Sequence, residues 1–232
     1  MKKLTSQVQT DHITDEISRM FDYAFDGQTE FTLPEFQKPT EDFNIGLIVG
    51  ASGSGKSNLL KEFGEEENIE WDSNKAVCSH FDNPDEAQDR LSSVGFNSIP
   101  SWMRPYHVLS TGERFRSDLA RRIKDNAVID EFTSVVDRNV AKSCSNALQK
   151  FIRNKNIKNV VFASCHYDII DWLQPDWVFD TNSSKVVTRG LLRRPKIVLE
   201  VVPCSHKIWS YFADHHYLTG NISTATRCWI AT

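Results

Sequence analysis

The 232 residues suffice for one large domain, or for one domain plus a fragment, with 40% hydrophobic residues and a formal net charge of −4. That mild acidity argues against a general nucleic-acid coat, and no apolar run approaches the roughly 18 residues a membrane-spanning helix needs. Five scattered cysteines without a Cys-x-x-Cys read as reduced thiols of a cytoplasm, neither a disulfide framework nor a zinc site.

The opening "MKKLTSQVQTDHITDE" has no apolar core behind its lysines and does not read as a signal peptide. The next residues hold aromatic clusters, "MFDYAF" and "FTLPEF", and Pro34 and Pro39 interrupt any long helix there. "FNIGLIVG" (Phe43–Gly50) is a short apolar run of the kind a buried parallel strand needs. "KSNLLKEFG" then puts Leu59, Leu60 and Phe63 on one helical face, with Gly64 as a stop. "KAVCSHF" (75–81) is a second strand candidate. "NPDEAQDRLSSVG" predicts a helix with Asn83 as cap, Pro84 at the first helical position and acids in the first turn. "IPSWMRPYHVLSTGE" reads as irregular, and "RFRSDLARRI" as a basic amphipathic helix. "NAVIDEF" is a short strand ending in two acids. "VAKSCSNALQKFIRN" spaces Val140, Cys144, Ala147, Leu148, Phe151 and Ile152 as a helix packed on a sheet, and "NVVFASCH" is a further strand. This alternation predicts an α/β fold with a mainly parallel sheet.

Between the first strand and the first helix stands Gly50-x-x-x-x-Gly55-Lys56-Ser57, the spacing of a phosphate-binding P-loop. Glycines let backbone N–H groups turn inward around phosphate oxygens, and a helix N-terminus adds its positive end. Lys56 is expected to bridge the β- and γ-phosphates, and Ser57 to offer a hydroxyl to Mg²⁺. The expected nucleotide-binding set here is Gly50, Ser52, Gly53, Ser54, Gly55, Lys56, Ser57 and Asn58. The plain alternative is a Gly/Ser turn with an exposed lysine, but a mere linker has no use for a lysine at that place. Two adjacent acids at a strand end suit hydrolysis, with Asp130 as metal anchor and Glu131 polarising the attacking water.

"LSTGERFRSDLARRI" (Leu109–Ile123) resembles the signature motif of the ABC ATPase superfamily, usually Leu-Ser-Gly-Gly-Gln. Leu109, Ser110 and Gly112 match; Thr111 and Glu113 depart from the common form. Ser110 with Glu113 also reads as an ordinary capping box, and the two readings are compatible. "TSVVDR" resembles the D-loop of that superfamily, with Ser134 and Asp137 placed to communicate across a dimer. "VVFASCHYD" resembles its switch strand, with His166 expected to contact the γ-phosphate and orient the water. The resemblance implies a P-loop NTPase of ABC type with a small antiparallel N-terminal β part and a short helical subdomain. It also implies an ATP-dependent, head-to-tail homodimer in which Ser110 and Gly112 complete the partner's site.

The match is incomplete in two ways. The superfamily's glutamine before the helical subdomain has no secure counterpart, since His80 and Gln88 both fit poorly. The insert Asn83–Val108 is shorter than in transporter subunits, so no membrane partner is expected. Tyr23 or Phe25 is the candidate adenine-stacking aromatic. From about Phe43 to Asp180 the chain resembles a phage and bacterial group in which "SWMRPYHVLSTGERFR", "VIDEFTSVVDR" and "SCHYDIIDWLQPDWVFD" recur in similar form. Members are often fused to an N-acetyltransferase-like domain. Residues 191–232 look like the opening of such a domain, with "VLEVVP" as its first strand and "HKIWSYFADHHYL" as its first helix and turn, after an ATPase domain at 1–190.

His206, His215 and His216 with Cys204 match no zinc pattern, and "RGLLRRP" (Arg189–Pro195) reads as a solvated basic linker. The expectation is a cytoplasmic Mg²⁺-dependent ATPase. Its rivals are a slow ATP switch acting on an acetyltransferase or nucleic-acid partner, a transporter subunit, and a P-loop kinase.

Overall fold

The polar N-terminal residues form a two-stranded antiparallel sheet, β1 (Lys3–Gln7) and β2 (Gln28–Thr32), with helix α1 (His12–Met20) between them. Asp11 starts that helix by a capping box with Thr14, and no residue of α1 is buried. The computed structural model describes residues 3–188, 199–212 and 227–231. The chain divides into two compact units, Met1–Leu192 and Arg193–Thr232.

Five strands make the central sheet: β3 (Ile45–Val49), β4 (Val128–Ile129), β5 (Val160–Ser164), β6 (Trp177–Asp180) and β7 (Lys185–Thr188), in the order β4-β5-β3-β6-β7. All neighbours pair in parallel except β7, which runs antiparallel along the edge beside β6. The α/β expectation and the small antiparallel N-terminal part both hold. Every residue of β3 and β5 is buried, which explains why these strands read as continuous apolar runs rather than alternating ones.

Alternation is still present in what each side chain packs against. Ile45, Leu47 and Val49 join Ile129, Phe162 and Val178 on one face, while Ile48 joins Val161, Ala163 and Phe179 on the other. The first face is covered by α3 (Pro84–Ser93), α5 (Thr111–Arg122), α6 (Arg138–Asn154) and α7 (Ile169–Leu173), through Leu91, Leu119, Leu148 and Leu173 among others. The second face is covered by α2 (Lys56–Leu60) through Leu59 and Leu60. Burying each such aliphatic side chain contributes about 1.5–3 kcal/mol before chain entropy is set against it.

The expected strand at 75–81 does not form. Val77–His80 is a single 3-10 turn, tied to the neighbouring chain by Val77 N–H donating to Arg104 C=O at 2.9 Å and one bridge between Ala76 and Pro105. Pro105 has no N–H, so a ladder cannot grow from that bridge. The helix α3 starts as the sequence predicts, with Asn83 accepting from Glu86 N–H and Pro84 in the first turn. A short helix, α4 (Ile99–Trp102), occupies part of the segment read as irregular. The buried stripe of α6 runs through Ala141, Cys144, Ser145, Leu148, Gln149 and Ile152, about one position round from the predicted stripe; Val140, Ala147 and Phe151 are half-buried flanks. Side chains on a helix lean toward its N-terminus, which rotates the contact stripe in this way.

In the second unit β8 (Val201–Cys204) pairs antiparallel with β9 (Cys228–Ala231). The segment expected as a first helix is a 3-10 helix at His206–Tyr211. His215, His216 and the basic stretch Arg189–Pro195 lie outside the described residues.

Candidate active site

Four strands present their C-terminal ends on one edge of the sheet, and those of β3, β4 and β5 each lead into a segment singled out by sequence. Val49 pairs with Ser164 on one side and with Asp180 on the other, while Ile129 pairs with Phe162. The phosphate loop therefore leaves β3 level with the switch residues leaving β5. The acid pair leaves β4 one strand further on. At two strand spacings, the loop after Val49 and the acids after Ile129 begin roughly 10 Å apart. His166 lies two residues past the end of β5, the strand between them.

The loop 50–55 turns through glycines for steric reasons. A Cβ on Gly50 would sit 1.8 Å from Thr181 Oγ1. At Gly55 φ is +88°, and a Cβ there would come within 2.7 Å of Leu33 and 2.9 Å of Phe31. Lys56 is 5% exposed, and its ammonium donates to the C=O of Gly50 at 3.0 Å and of Ala51 at 2.8 Å. The lysine thus braces its own loop and holds a positive charge at the loop's centre. Ser52, Gly53 and Ser57 are exposed, and Ser54 and Asn58 half-buried. The helix that follows has only five residues, so its dipole is small and the loop N–H groups supply most of the attraction for an anion.

The acid loop is built differently. Glu131 (φ +49°) and Thr133 (φ +67°) both occupy the left-handed region, which a β-branched, fully buried residue such as Thr133 rarely enters. Between them Phe132 N–H donates to Ala163 C=O at 2.8 Å, and Ser164 Oγ donates to Phe132 C=O at 2.9 Å. Ser134 Oγ donates to Glu131 Oε2 at 2.5 Å, and Glu131 N–H donates to Asp130 Oδ1 at 2.8 Å. Asp130 N–H in turn donates to Glu66 at 3.2 Å, and Glu66 pairs with Arg122 at 3.0 Å. Burial pushes the Glu66 carboxyl above its ordinary range despite that arginine. Asp137 caps α6 by accepting from Asn139 and Val140 N–H.

His166 is half-buried, and its N–H donates to Ser164 Oγ at 3.2 Å. Its successors anchor the loop on both sides. Tyr167 O–H donates to Asp180 at 2.8 Å, and Asp168 pairs with Arg138. Burial, reinforced by the bond to Asp180, pushes the Tyr167 phenol up to about 12. Thr181 Oγ1 donates to Ser54 Oγ at 2.8 Å, tying the end of β6 to the phosphate loop.

Ser110 and Gly112 are not part of this cluster. Ser110 caps α5, accepting from Glu113 N–H at 3.3 Å and donating to Glu113 Oε2 at 2.9 Å. Ser101 Oγ also donates to Glu113 at 2.7 Å, and this bond, with those from Ser110, holds the Glu113 carboxyl below its ordinary range. A Cβ on Gly112 would lie 3.6 Å from the Val136 side chain. None of the hydrogen-bond partners of Ser110 belongs to the phosphate loop.

Three residues with a place in this geometry carry no sequence motif: Thr181, Glu66 and Phe31. Phe31 lies beside Gly55 and is 39% exposed, whereas of the two candidate stacking residues Tyr23 is 63% exposed and Phe25 half-buried. His80 is fully engaged, its Nδ1 with Ala76 C=O at 2.9 Å and its Nε2 accepting from Asp72 N–H at 3.0 Å. It is a structural residue. A groove of about 620 Å³ lies next to Phe31, between Leu33, Pro34, Gln37, Phe179 and Val186, and does not include the phosphate loop. For a divalent ion, Ser57 and Asp130 offer hard oxygen donors, and no cluster of three His, Cys, Asp or Glu ligands occurs among the described residues. That sparse set fits Mg²⁺, which keeps waters and takes phosphate oxygens rather than a full protein cage. No helix among the described residues is long and apolar enough to cross a membrane.

No model of a known protein family and no curated protein matches the chain. Solved structures resemble it. One is the ATP-binding cassette MJ0796 in a dimeric, post-hydrolysis state with ADP and Pi, at 15% identity and a TM-score of 0.45 over 66% of this chain and 85% of that one. Another is a dimeric structure of MJ0796, described as a bacterial ABC transporter cassette, at 15% identity and 0.44 over 59% and 80%. A third is CbiO1 of Clostridium perfringens, part of the ABC transporter complex CbiONQ, at 19% identity and 0.44 over 62% and 75%. Likeness at this level leaves the activity of this chain to be argued from its own residues.

Proposed function

We propose that the chain is an ABC-type ATPase that binds ATP with Mg²⁺ and hydrolyses it at a composite site formed by an ATP-driven, head-to-tail homodimer. One observation carries this reading: the strand order β4-β5-β3 sets a P-loop, a histidine and an acid pair side by side on one sheet edge. A P-loop kinase needs the loop and an acid, but has no use for a capped anion site on α5 or for the histidine between.

In this reading the loop N–H groups and Lys56 hold the β- and γ-phosphates, with the lysine exchanging its bonds to Gly50 and Ala51 for phosphate oxygens. Phe31, beside Gly55, offers a face on which the adenine stacks. Ser57 and Asp130 hold Mg²⁺, which neutralises charge developing on the phosphates. Glu131 takes a proton from the attacking water, and His166 orients that water against the γ-phosphate. Ser110, Gly112 and Asp137 act across the dimer on the partner's nucleotide. The short helical insert argues against a membrane partner, and the scattered cysteines suit a cytoplasmic role. Acyl transfer is not assigned to the second unit. A slow ATP switch that regulates an acetyltransferase or nucleic-acid enzyme is the alternative, because Glu113 sets a carboxylate where the usual signature has a neutral glutamine.

Steady-state hydrolysis tests the reading. Wild-type protein should release phosphate from Mg²⁺-ATP, and Glu131→Gln should bind ATP yet turn over roughly 10²–10⁴-fold more slowly, the usual contribution of a general base. Normal turnover by that variant would remove Glu131 from its role.

A further inference from the structure

Arg138, the first residue of α6, joins two loops that the sequence keeps 30 residues apart. Its Nε donates to Asp168 Oδ2 at 3.0 Å, Nη2 donates to Asp168 Oδ1, and Nη1 donates to Thr133 Oγ1 at 3.4 Å. The guanidinium also lies over the Trp172 ring, 5.1 Å from its centroid. A two-pronged bond to a carboxylate fixes orientation as well as distance, and stacking fixes the plane. Both partners of the ion pair are more than a third exposed, so charge attraction alone is weak and geometry is what the contact supplies.

The contact falls where geometry matters. Thr133 is two residues beyond Glu131, and both are in a backbone conformation that L residues leave unless their surroundings hold them. Asp168 is two residues beyond His166. Phe132 is bonded to β5 through Ala163 and Ser164, and Ser164 also receives the His166 N–H. Arg138 closes this circuit from the solvent side.

We propose that Arg138 is a positioning residue that locks the acid loop and the switch loop into one body, so that Glu131 and His166 are presented to the water together. The inference rests on the ATPase reading above. Arg138 has no part in binding phosphate, because Asp168, Thr133 and Trp172 already occupy its fork and its face.

The test is steady-state ATP hydrolysis and equilibrium ATP binding by the full chain, for wild type, Arg138→Ala, Arg138→Lys, Asp168→Ala and the double alanine variant. Arg138→Ala and Asp168→Ala should each lower kcat by about tenfold or more, with KM within about twofold, the pattern of a lost transition-state contribution. Arg138→Lys keeps stem and charge but cannot span the carboxylate, so it should recover little of that loss. The double variant should be no worse than the weaker single one, as expected for one shared interaction. A folded Arg138→Ala with wild-type kcat overturns the proposal. So does a KM rise as large as the kcat loss, which would make Arg138 a nucleotide ligand, or strictly additive losses. If Arg138→Ala melts below the assay temperature, Arg138→Lys and Asp168→Ala decide by the same criteria. Absence of turnover in the wild type would instead sink the ATPase reading itself, and the lock would fall with it.

Discussion

The phosphate loop and the acid loop stand at the same sheet edge, yet they are held in opposite ways. The phosphate loop is bonded mainly within itself: Lys56 bonds the C=O groups of Gly50 and Ala51 within its own turn, and one long-range hydrogen bond, Thr181 to Ser54, ties it to the end of β6, with Leu33 and Phe31 packed beside Gly55. The acid loop draws on Glu66, Ala163, Ser164 and Arg138 to keep Glu131 and Thr133 in conformations they would not choose alone. A loop built from local bonds has its geometry written in eight consecutive residues. A loop held by residues distant in the chain, such as Glu66, Ala163 and Ser164, does not, because no single stretch of sequence shows those contacts.

Breaking each loop should therefore give a different signature. Lys56→Ala removes two or more charge-assisted bonds to phosphate, each worth about 1.5–3 kcal/mol, so the Kd for ATP should rise by roughly 100-fold or more. Equilibrium binding with a fluorescent ATP analogue checks it, and an unchanged Kd would show that the lysine only braces the loop.

Ser164→Ala should act on the other half. Ser164 is fully buried, accepts from His166 N–H and donates to Phe132 C=O, so its loss leaves two groups unpaired and costs about 1–3 kcal/mol of stability. Turnover should fall with it while ATP affinity stays near wild type. Thermal melting together with kinetics checks both, and an unaltered melting point would mean that the acid loop is held by other contacts.

The smallest expected effect concerns Glu113, which sits at the start of α5 among Ser101 and Ser110. Its carboxyl is held below its ordinary range, so the folded state binds that proton less tightly than the unfolded chain. The stabilisation is fully present above the ordinary glutamate range, near pH 4.3, and is lost as pH falls through the lowered folded value. Melting curves should show this acid-side loss in wild type and not in Glu113→Gln. The same variant removes a negative charge from the helix end, and should strengthen ATP-driven dimerisation by a few fold, in line with about 0.3–1 kcal/mol for a charge at a helix terminus. No change in dimerisation would place Ser110 and Gly112 away from the partner's phosphate.

Much of this was legible in the residues and some was not, for physical reasons. The fully buried strands β3 and β5, the Asn83 and Ser110 caps, and the loop Gly50–Ser57 are local patterns with local causes. The strand expected at 75–81 failed because strand pairing needs a partner elsewhere, and the chain supplies Pro105, which lacks an N–H. The polar members of the α6 stripe, Ser145 and Gln149, hid its true orientation. Thr181, Glu66 and Phe31 reach the site only through strand register and crossovers, which no short window of sequence records; Arg138 closes the segment Thr133–Arg138, but its bond to Asp168 is equally invisible in sequence. The register of β2 brings Phe31 beside Gly55, a neighbour that no local pattern around residue 31 announces.

The central claim is that the sheet-edge site of one copy is completed by Ser110 and Gly112 of a second copy when the two meet around ATP. The most direct test is the solution mass of the Glu131→Gln protein with and without Mg²⁺-ATP. The account predicts a shift from 26.6 kDa to twice that mass on adding nucleotide, reversed in Lys56→Ala. A single mass in both conditions, with ATP shown to be bound, would contradict it and leave Ser110 as a helix cap and nothing more.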